Sequence, residues 1–326
     1  MDSLIFAFNA VFPLIATAFV GYIIKRLGLV SRDVAKPLNK IVFRVLLPCL
    51  LFLNIYKIEN FSSIDSGYMV FSVISVIAVF LLAIPYSVLA SKHKSRRSVI
   101  IQGVFRSNYA LIGIPLAEAL FGSRGITVAT VLSAVAIPLF NVLAIVTLSI
   151  FGNGQEKTNI KDVLLGIVKN PLIIGVFSGL AALGVRALFI NFDISFRLSE
   201  IESAFTVLDY LSRCATPLAL LTLGIQFEFS AVKELKREII LATAARLIFV
   251  PVIFLSVAYL CFDFSGEHFA AFIALFATPV AVSSVPMAQE MKADVRLAGQ
   301  LVVWNTLFSG LTIFIYAFIF KTLGVF

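Results

Sequence analysis

Apolar residues run along this chain in blocks of about twenty, the length at which a helix crosses a hydrocarbon core. Short polar segments separate the blocks. The pattern predicts ten membrane helices, at 4–24, 38–56, 67–90, 99–121, 126–151, 161–183, 204–225, 239–261, 268–289 and 297–320. No gap between them exceeds about twenty residues, too little for a separate soluble domain. The N-terminal stretch "MDSLIFAFNAVF" lacks a basic leader, and "GYIIKRLG" after the first block offers no small-residue cleavage site. The first block is therefore expected to be a span, and the fold class an all-α membrane protein.

The charges then set an orientation. Of 26 Lys and Arg, seventeen fall in the segments after blocks one, three, five, seven and nine, from Lys25 through "SKHKSRR" to Arg296. Five lie on the other side (Lys57, Arg124, Arg186, Arg197, Lys321). That bias predicts both termini outside a cytoplasmic (inner) membrane. It also accounts for the net charge of +8 without a nucleic-acid partner. The chain is 60% hydrophobic and 13% charged, about half the charge of a soluble domain. Cys49, Cys214 and Cys261 have no metal-type spacing, so no metal and no cofactor is expected. His93 and His268 sit at block ends and no H-E-x-x-H occurs, so no catalytic residue is nominated.

The two halves, 1–152 and 153–326, resemble each other. "FPLIATAFVG" aligns with "NPLIIGVFSG", pairing Pro13 with Pro171 and Gly21 with Gly179. "RVLLPCLLF" aligns with "RCATPLALL", pairing Arg44 with Arg213 and Pro48 with Pro217. "IPLAEAL" aligns with "VPMAQEM", pairing Pro115 with Pro286 and Glu118 with Gln289. Blocks one, two and four thus match six, seven and nine. An odd repeat of five spans inverts the second copy in the membrane.

Spans four and nine break the rules of a bilayer helix. "NYALIGIPLAEALFG" carries Asn108, Gly113 and Pro115; "FATPVAVSSVPMAQEM" carries Thr278, Pro279 and Pro286. Freed backbone groups at that depth survive only inside protein or along a watery cavity. The alignment sets Asn108 opposite Pro279. Paired interruptions of this kind point to a transport site whose half-helix N-termini attract an anion. Candidate substrate contacts are Ser107, Asn108, Tyr109, Thr278, Pro279 and Val280, with Ser133, Asn141 and Asn305 from spans five and ten. Four arginines lie within spans. Arg44, Arg106 and Arg213 are assigned to an anion path, Arg213 with Asp209 one turn away. Arg106 and Arg246, two turns from the inner edge, are expected to snorkel toward it. Arginine in excess over acid favours a small carboxylate as cargo. Glu118, near a span end, is expected at the outer headgroups, and Trp304 in packing.

These motifs in this order resemble the auxin efflux carrier family, which includes the plant PIN-FORMED carriers and bacterial relatives labelled malonate or malate permeases. "GYIIKRLGLVSRDVAKPLNKIVFRVLLPCLLF", "NYALIGIPLAEALFG", "KNPLIIGVFSGL", "TPLALLTLGIQF" and "ATPVAVSSVPMAQEM" carry the resemblance over nearly the whole chain. It implies a scaffold of helices 1, 2, 6 and 7 that forms a homodimer. It also implies a moving transport domain of helices 3–5 and 8–10, with helices 4 and 9 broken and crossing at Ser107–Asn108 and Thr278–Pro279. Asn108 matches a family asparagine at the substrate site. The implied activity is elevator-type movement of organic anions such as malonate, malate or auxin-like acids, with H+ or Na+ as a possible coupling ion and membrane lipids as surroundings. A sodium-coupled symporter of the bile-acid type is the alternative. Ser107 stands where plant carriers have proline, and "GNGQEKTNIKD" replaces their long loop, which suits a prokaryotic relative.

Overall fold

A computed structural model describes residues 2–57, 66–151, 168–262 and 264–325. Lys157, Lys161 and the short polar segment 152–162 lie outside the described residues. Those described form an all-helical protein with no strand, only one isolated β-bridge. Helix α1 spans Asp2–Arg26. Helices α2 (Ala35–Ile41) and α3 (Leu47–Tyr56) make one rod with a π-helical turn, Val42–Leu46, between them. Next come α4 (Ser66–Ala90), α5 (Lys94–Phe105), the π-helical turn Tyr109–Gly113 and α6 (Ile114–Phe151). The second half contains α7 (Pro171–Asn191) and α8 (Glu202–Gln226). Helices α9 (Ser230–Ala244) and α10 (Val250–Phe262) flank a third π-helical turn, Ala245–Phe249. Helices α11 (Gly266–Phe276), α12 (Ser284–Glu290) and α13 (Val295–Thr322) complete the chain.

Proline explains the π-helical turns. Each ends two residues before one: Pro48, Pro115 and Pro251. A proline ring crowds the carbonyl four residues back and offers it no N–H, so the preceding turn widens. The crowded carbonyls belong to Arg44, Leu111 and Leu247, the middle residue of each turn.

Several predicted boundaries move. The gap expected between spans four and five closes into a corner inside α6, at Phe121 and Gly122. Gly122 has φ 60° and ψ −147°, a conformation open in practice to glycine alone. Helix α7 starts at Pro171, capped by Asn170, whose Oδ1 accepts the Leu172 N–H at 2.9 Å. It ends at Asn191, well past the expected 183. Helix α9 begins nine residues before the expected 239, because Ser230–Glu238 is amphipathic rather than apolar. Among the described residues, six helical rods are long and apolar enough to cross a membrane: Arg32–Tyr56, Gly67–Ala90, Tyr109–Phe151, Pro171–Asn191, Ser230–Phe262 and Val295–Thr322. Spans four and nine are cut short by their breaks. Helices α5 and α11, of 12 and 11 residues, each fall below the spanning length of about twenty.

Small residues set the packing. Gly21 of α1 faces the Leu221 carbonyl of α8, and Gly224 of α8 faces the Ala18 carbonyl of α1. Gly175 of α7 lies against Pro48 of α3, and Gly179 against Phe52. Such close approach replaces the hydrophobic drive that helices lack in lipid. Helices α6 and α11 pack together on the far side, as do α4 with α5 and α9 with α13.

Charged groups gather at one end. Arg96 pairs with Glu234 at 2.6 Å, Glu238 at 3.1 Å and Asp294 at 3.1 Å. Arg296 pairs with Glu228 and Glu234, and Arg32 with Glu228. Segments following predicted spans one, three, seven and nine therefore meet on a common face.

Candidate functional site

The two interrupted segments touch. Helix α5 stops at Phe105, and Arg106 is extended (φ −85°, ψ 117°). Helix α11 stops at Phe276, and α12 resumes only at Ser284. Ser107 and Val280 form the β-bridge, antiparallel, and the Asn108 N–H donates to the Pro279 carbonyl at 2.8 Å. The Ser107 and Thr278 hydroxyls lie 2.5 Å apart. Thr278 also donates to the Ala274 carbonyl at 2.8 Å, so Ser107 is the donor to Thr278.

Breaking two helices orphans carbonyls, and one side chain collects them. Leu275 faces Pro279, which has no N–H to return. The Val104 carbonyl loses Asn108, which donates across the bridge instead. Arg246, 1% exposed, donates through Nε to the Thr278 carbonyl at 2.8 Å and through its terminal nitrogens to Leu275 at 3.0 Å, Val104 at 3.2 Å and Phe105 at 3.4 Å. A guanidinium with five N–H groups suits this cluster. Its charge also opposes the negative C-terminal ends of α5 and α11. The expected snorkelling of Arg246 and Arg106 is corrected: Arg106 is only 4% exposed and turns inward too. Carbonyls orphaned at the crossing give Arg246, and side-chain acceptors beside it give Arg106, the partners that the headgroups would otherwise supply.

Arg106 has a different set of partners. It donates to Asn141 Oδ1 and Ser283 Oγ, each at 2.8 Å, and touches Met287 Sδ. Asn141 is held in this orientation because its Nδ2 donates to the Ile137 carbonyl at 2.8 Å. All these partners are neutral. Among the described residues no carboxylate lies within ion-pair distance of Arg106 or Arg246. A cavity of about 70 Å3 opens beside Arg106, large enough for a few waters or a small polar ligand group. Ser107, Asn108, Tyr109, Asn141 and Ser283 line it, with Leu47, Asn54, Leu172 and Ala215 opposite. The Asn108 Nδ2 is buried and has no hydrogen-bond partner. The site therefore offers a positive charge and an unused donor, together with the N-terminal backbone of the segments that follow each break.

Other nominated residues are placed as follows. Thr278, Pro279 and Val280 build the crossing. Tyr109 lines the cavity while its hydroxyl donates to the Ala129 carbonyl at 3.1 Å. Gly113 is required by space: a Cβ there would meet the Tyr109 ring at 2.8 Å and the Ala274 carbonyl at 3.1 Å. Pro115 and Pro286 sit in the first turns of α6 and α12. Ser133 bonds within its own helix, to the Thr130 carbonyl at 2.5 Å, and does not line the cavity. Asn305 bonds to the Leu301 carbonyl at 2.8 Å, also away from it. Arg44 is exposed and pairs with Glu290, and Arg213 is exposed and pairs with Asp209 at 2.5 Å, as expected for that partner. Neither reaches the crossing cavity. Glu118 is exposed. Trp304 stacks on Phe308 at 5.8 Å. The Arg246 clamp escaped the sequence reading, although a proline four residues after Leu275 already announced a carbonyl in need of a donor.

A family profile described as membrane transport protein matches residues 6–317. An uncharacterized transporter of Methanothermobacter thermautotrophicus is 23% identical, over 92% of this chain and 94% of that protein. An uncharacterized transporter of Methanocaldococcus jannaschii is 25% identical, over 95% of this chain and 98% of that one. A Rhizobium meliloti protein named "Putative malonate transporter" is 23% identical, over 85% of this chain and 82% of its own length. With the match covering nearly all of the sequence, and with the auxin efflux carrier motifs in their order, the chain belongs to the membrane transport protein family.

Proposed function

We propose that this protein is a secondary transporter or uniporter of small organic anions, with the cargo carboxylate held at the crossing of the two broken segments. One observation carries the reading: among the described residues Arg106 is buried without a carboxylate partner, beside the unpartnered amide of Asn108, in a cavity at that crossing. A buried charge facing only neutral dipoles is costly, and a bound anion relieves it. The "Putative malonate transporter" name of the Rhizobium meliloti relative supports a dicarboxylate such as malonate.

Packing supports ten helices in an inverted five-plus-five repeat. The first span lies against the seventh and the second against the sixth through glycine contacts, the pairing a pseudo-twofold axis produces. In this reading α1, α2, α3, α7 and α8 form a scaffold that dimerises, and the remaining helices slide against it as an elevator. Both termini face outward from the inner membrane. A monoanion leaving a cell gains about 2.3 kcal/mol per 100 mV, so export needs no coupling ion, whereas import does. The sodium-coupled alternative needs carbonyl ligands at the crossing, and those of Val104, Phe105, Leu275 and Thr278 are already engaged by Arg246.

Flux of labelled malonate into liposomes holding the purified protein tests this. Asn108→Ala is expected to abolish flux while the folded yield stays unchanged. Arg106→Met removes charge-assisted hydrogen bonds worth about 1.5–3 kcal/mol each, which predicts a KM raised at least about tenfold. Flux at the wild-type rate in both variants would remove the crossing as the substrate site.

A further inference from the structure

A second, larger cavity of about 510 Å3 opens at the charged end of the molecule. Arg32, Lys36, Lys292 and Arg296 line it against two carboxylates, Asp33 and Glu228. Glu228 is shared by Arg32 and Arg296, while Lys36 and Lys292 take no part in the ion pairs among the described residues. The cavity is therefore left with a net positive field. Lys292 also has φ 58°, left-handed backbone that a non-glycine residue rarely adopts. This is the left-handed residue that ends α12, with the Ala293 N–H returning to the Ala288 carbonyl at 2.8 Å.

The two cavities lie along one seam. On α8, Ala215 and Ala219 line the crossing cavity and Leu223 lines the basic one, at the four-residue spacing of a single helix face, with Phe227 just past the helix end also on the basic cavity. On the facing segment, Val282 and Ser283 line the first, and Gln289 and Lys292 the second. Between them sits a cluster of side-chain amides. Asn39 Nδ2 donates to Gln226 Oε1 at 3.3 Å and to Gln289 Oε1 at 3.0 Å, and Gln226 Nε2 donates to Gln289 Oε1 at 2.8 Å. The Thr222 hydroxyl holds Asn39 Oδ1 at 2.8 Å. Each amide NH2 can donate to a passing carboxylate in place of a neighbouring amide oxygen.

We propose that the basic cavity is a separate anion-binding vestibule, which holds a soluble carboxylate between Lys36 and Lys292 before it passes the Asn39–Gln226–Gln289 barrier to the crossing. The passage rests on the transport reading; the binding does not. A lipid phosphate offers the same anionic oxygens, so the test separates the two sources.

Trp304 is the sole tryptophan, and its Nε1 donates to Gln300 Oε1 at 3.0 Å; Gln300 lines this cavity. Trp304 stands behind that wall, and its emission follows a rearrangement of Gln300. The full chain, in phosphatidylcholine nanodiscs, is titrated with malonate at constant ionic strength set by chloride. Wild type and Asn108→Ala are expected to give the same saturable change. Lys36→Gln/Lys292→Gln is expected to bind at least about tenfold more weakly with an unchanged thermal midpoint. Lys94→Gln/Lys233→Gln, with the same charge lost outside the cavity, is expected to match wild type. No saturable change in wild type would overturn the proposal. So would its loss in Asn108→Ala with retention in the cavity double variant, or equal weakening in both double variants. A response to phosphatidylglycerol nanodiscs in place of malonate would make this a lipid site and likewise end the proposal. Malonate flux is measured separately: binding without flux would leave the vestibule standing and remove the transport reading.

Discussion

Replacing Arg246 by methionine keeps an unbranched apolar stem, though a shorter one, and removes all five of its N–H donors from the crossing. Three carbonyls, of Thr278, Leu275 and Val104, lie within 3.2 Å of its nitrogens. None has the helical N–H that a continuous helix would supply. Leaving a buried polar group unsatisfied costs about 1–3 kcal/mol, so the three together cost about 3–9 kcal/mol. Native stability is itself about 5–15 kcal/mol, so the variant should be severely destabilised rather than merely inactive. At about 1.5 °C per kcal/mol for a chain of 326 residues, the unfolding midpoint should fall by at least about 4 °C. Arg246→Lys keeps the charge and up to three donors, and should recover part of the loss. Thermal unfolding of detergent-purified protein, followed through Trp304 emission and helical circular dichroism, reads the effect. If Arg246→Met melts within about 2 °C of wild type, the carbonyls have other donors and the clamp is not what holds the crossing.

Two further outcomes follow from the same geometry. Pro279→Ala restores an N–H to the Leu275 carbonyl and lets α11 run on, so malonate flux should slow far more than in Pro85→Ala, a proline inside α4 that lines neither cavity; equal slowing would make the second break a simple kink. Gly224→Leu drives a side chain into the Ala18 carbonyl, so α1 and α8 must separate, and the variant should lose several kcal/mol, of the order seen when cores are overpacked, about 1–3 kcal/mol or more, read as a lower unfolding midpoint; a midpoint equal to wild type would show that this contact is not tight.

Much of the architecture was readable because hydrophobic length and proline are local properties. The apolar blocks placed the helices, and Asn108, Pro115 and Pro279 marked where two of them fail. The repeat alignment set Asn108 opposite Pro279, and these two residues share a hydrogen bond. Boundaries were less legible. Helix α9 continues into polar sequence that hydropathy assigns to solvent, and the corner at Gly122 needs no loop at all because glycine supplies the turn. The candidate site was legible at its backbone and in Arg106, which lines the cavity, and not in Arg246, while Arg44 and Arg213 lie away from it.

The sequence by itself determined that this is a membrane protein, where its helices lie and where they break, since each depends on residues within a turn or two of one another. Only the tertiary structure decided which arginine does what. Arg106 and Arg246 look alike in sequence, each two turns from a basic loop, yet one faces an open cavity and the other closes four carbonyls. Arg44 and Arg213, aligned with each other, both end at exposed ion pairs. The reason is distance along the chain. Arg246 finds Val104 across 142 positions and Arg106 finds Ser283 across 177, and no local pattern encodes which partners folding will bring.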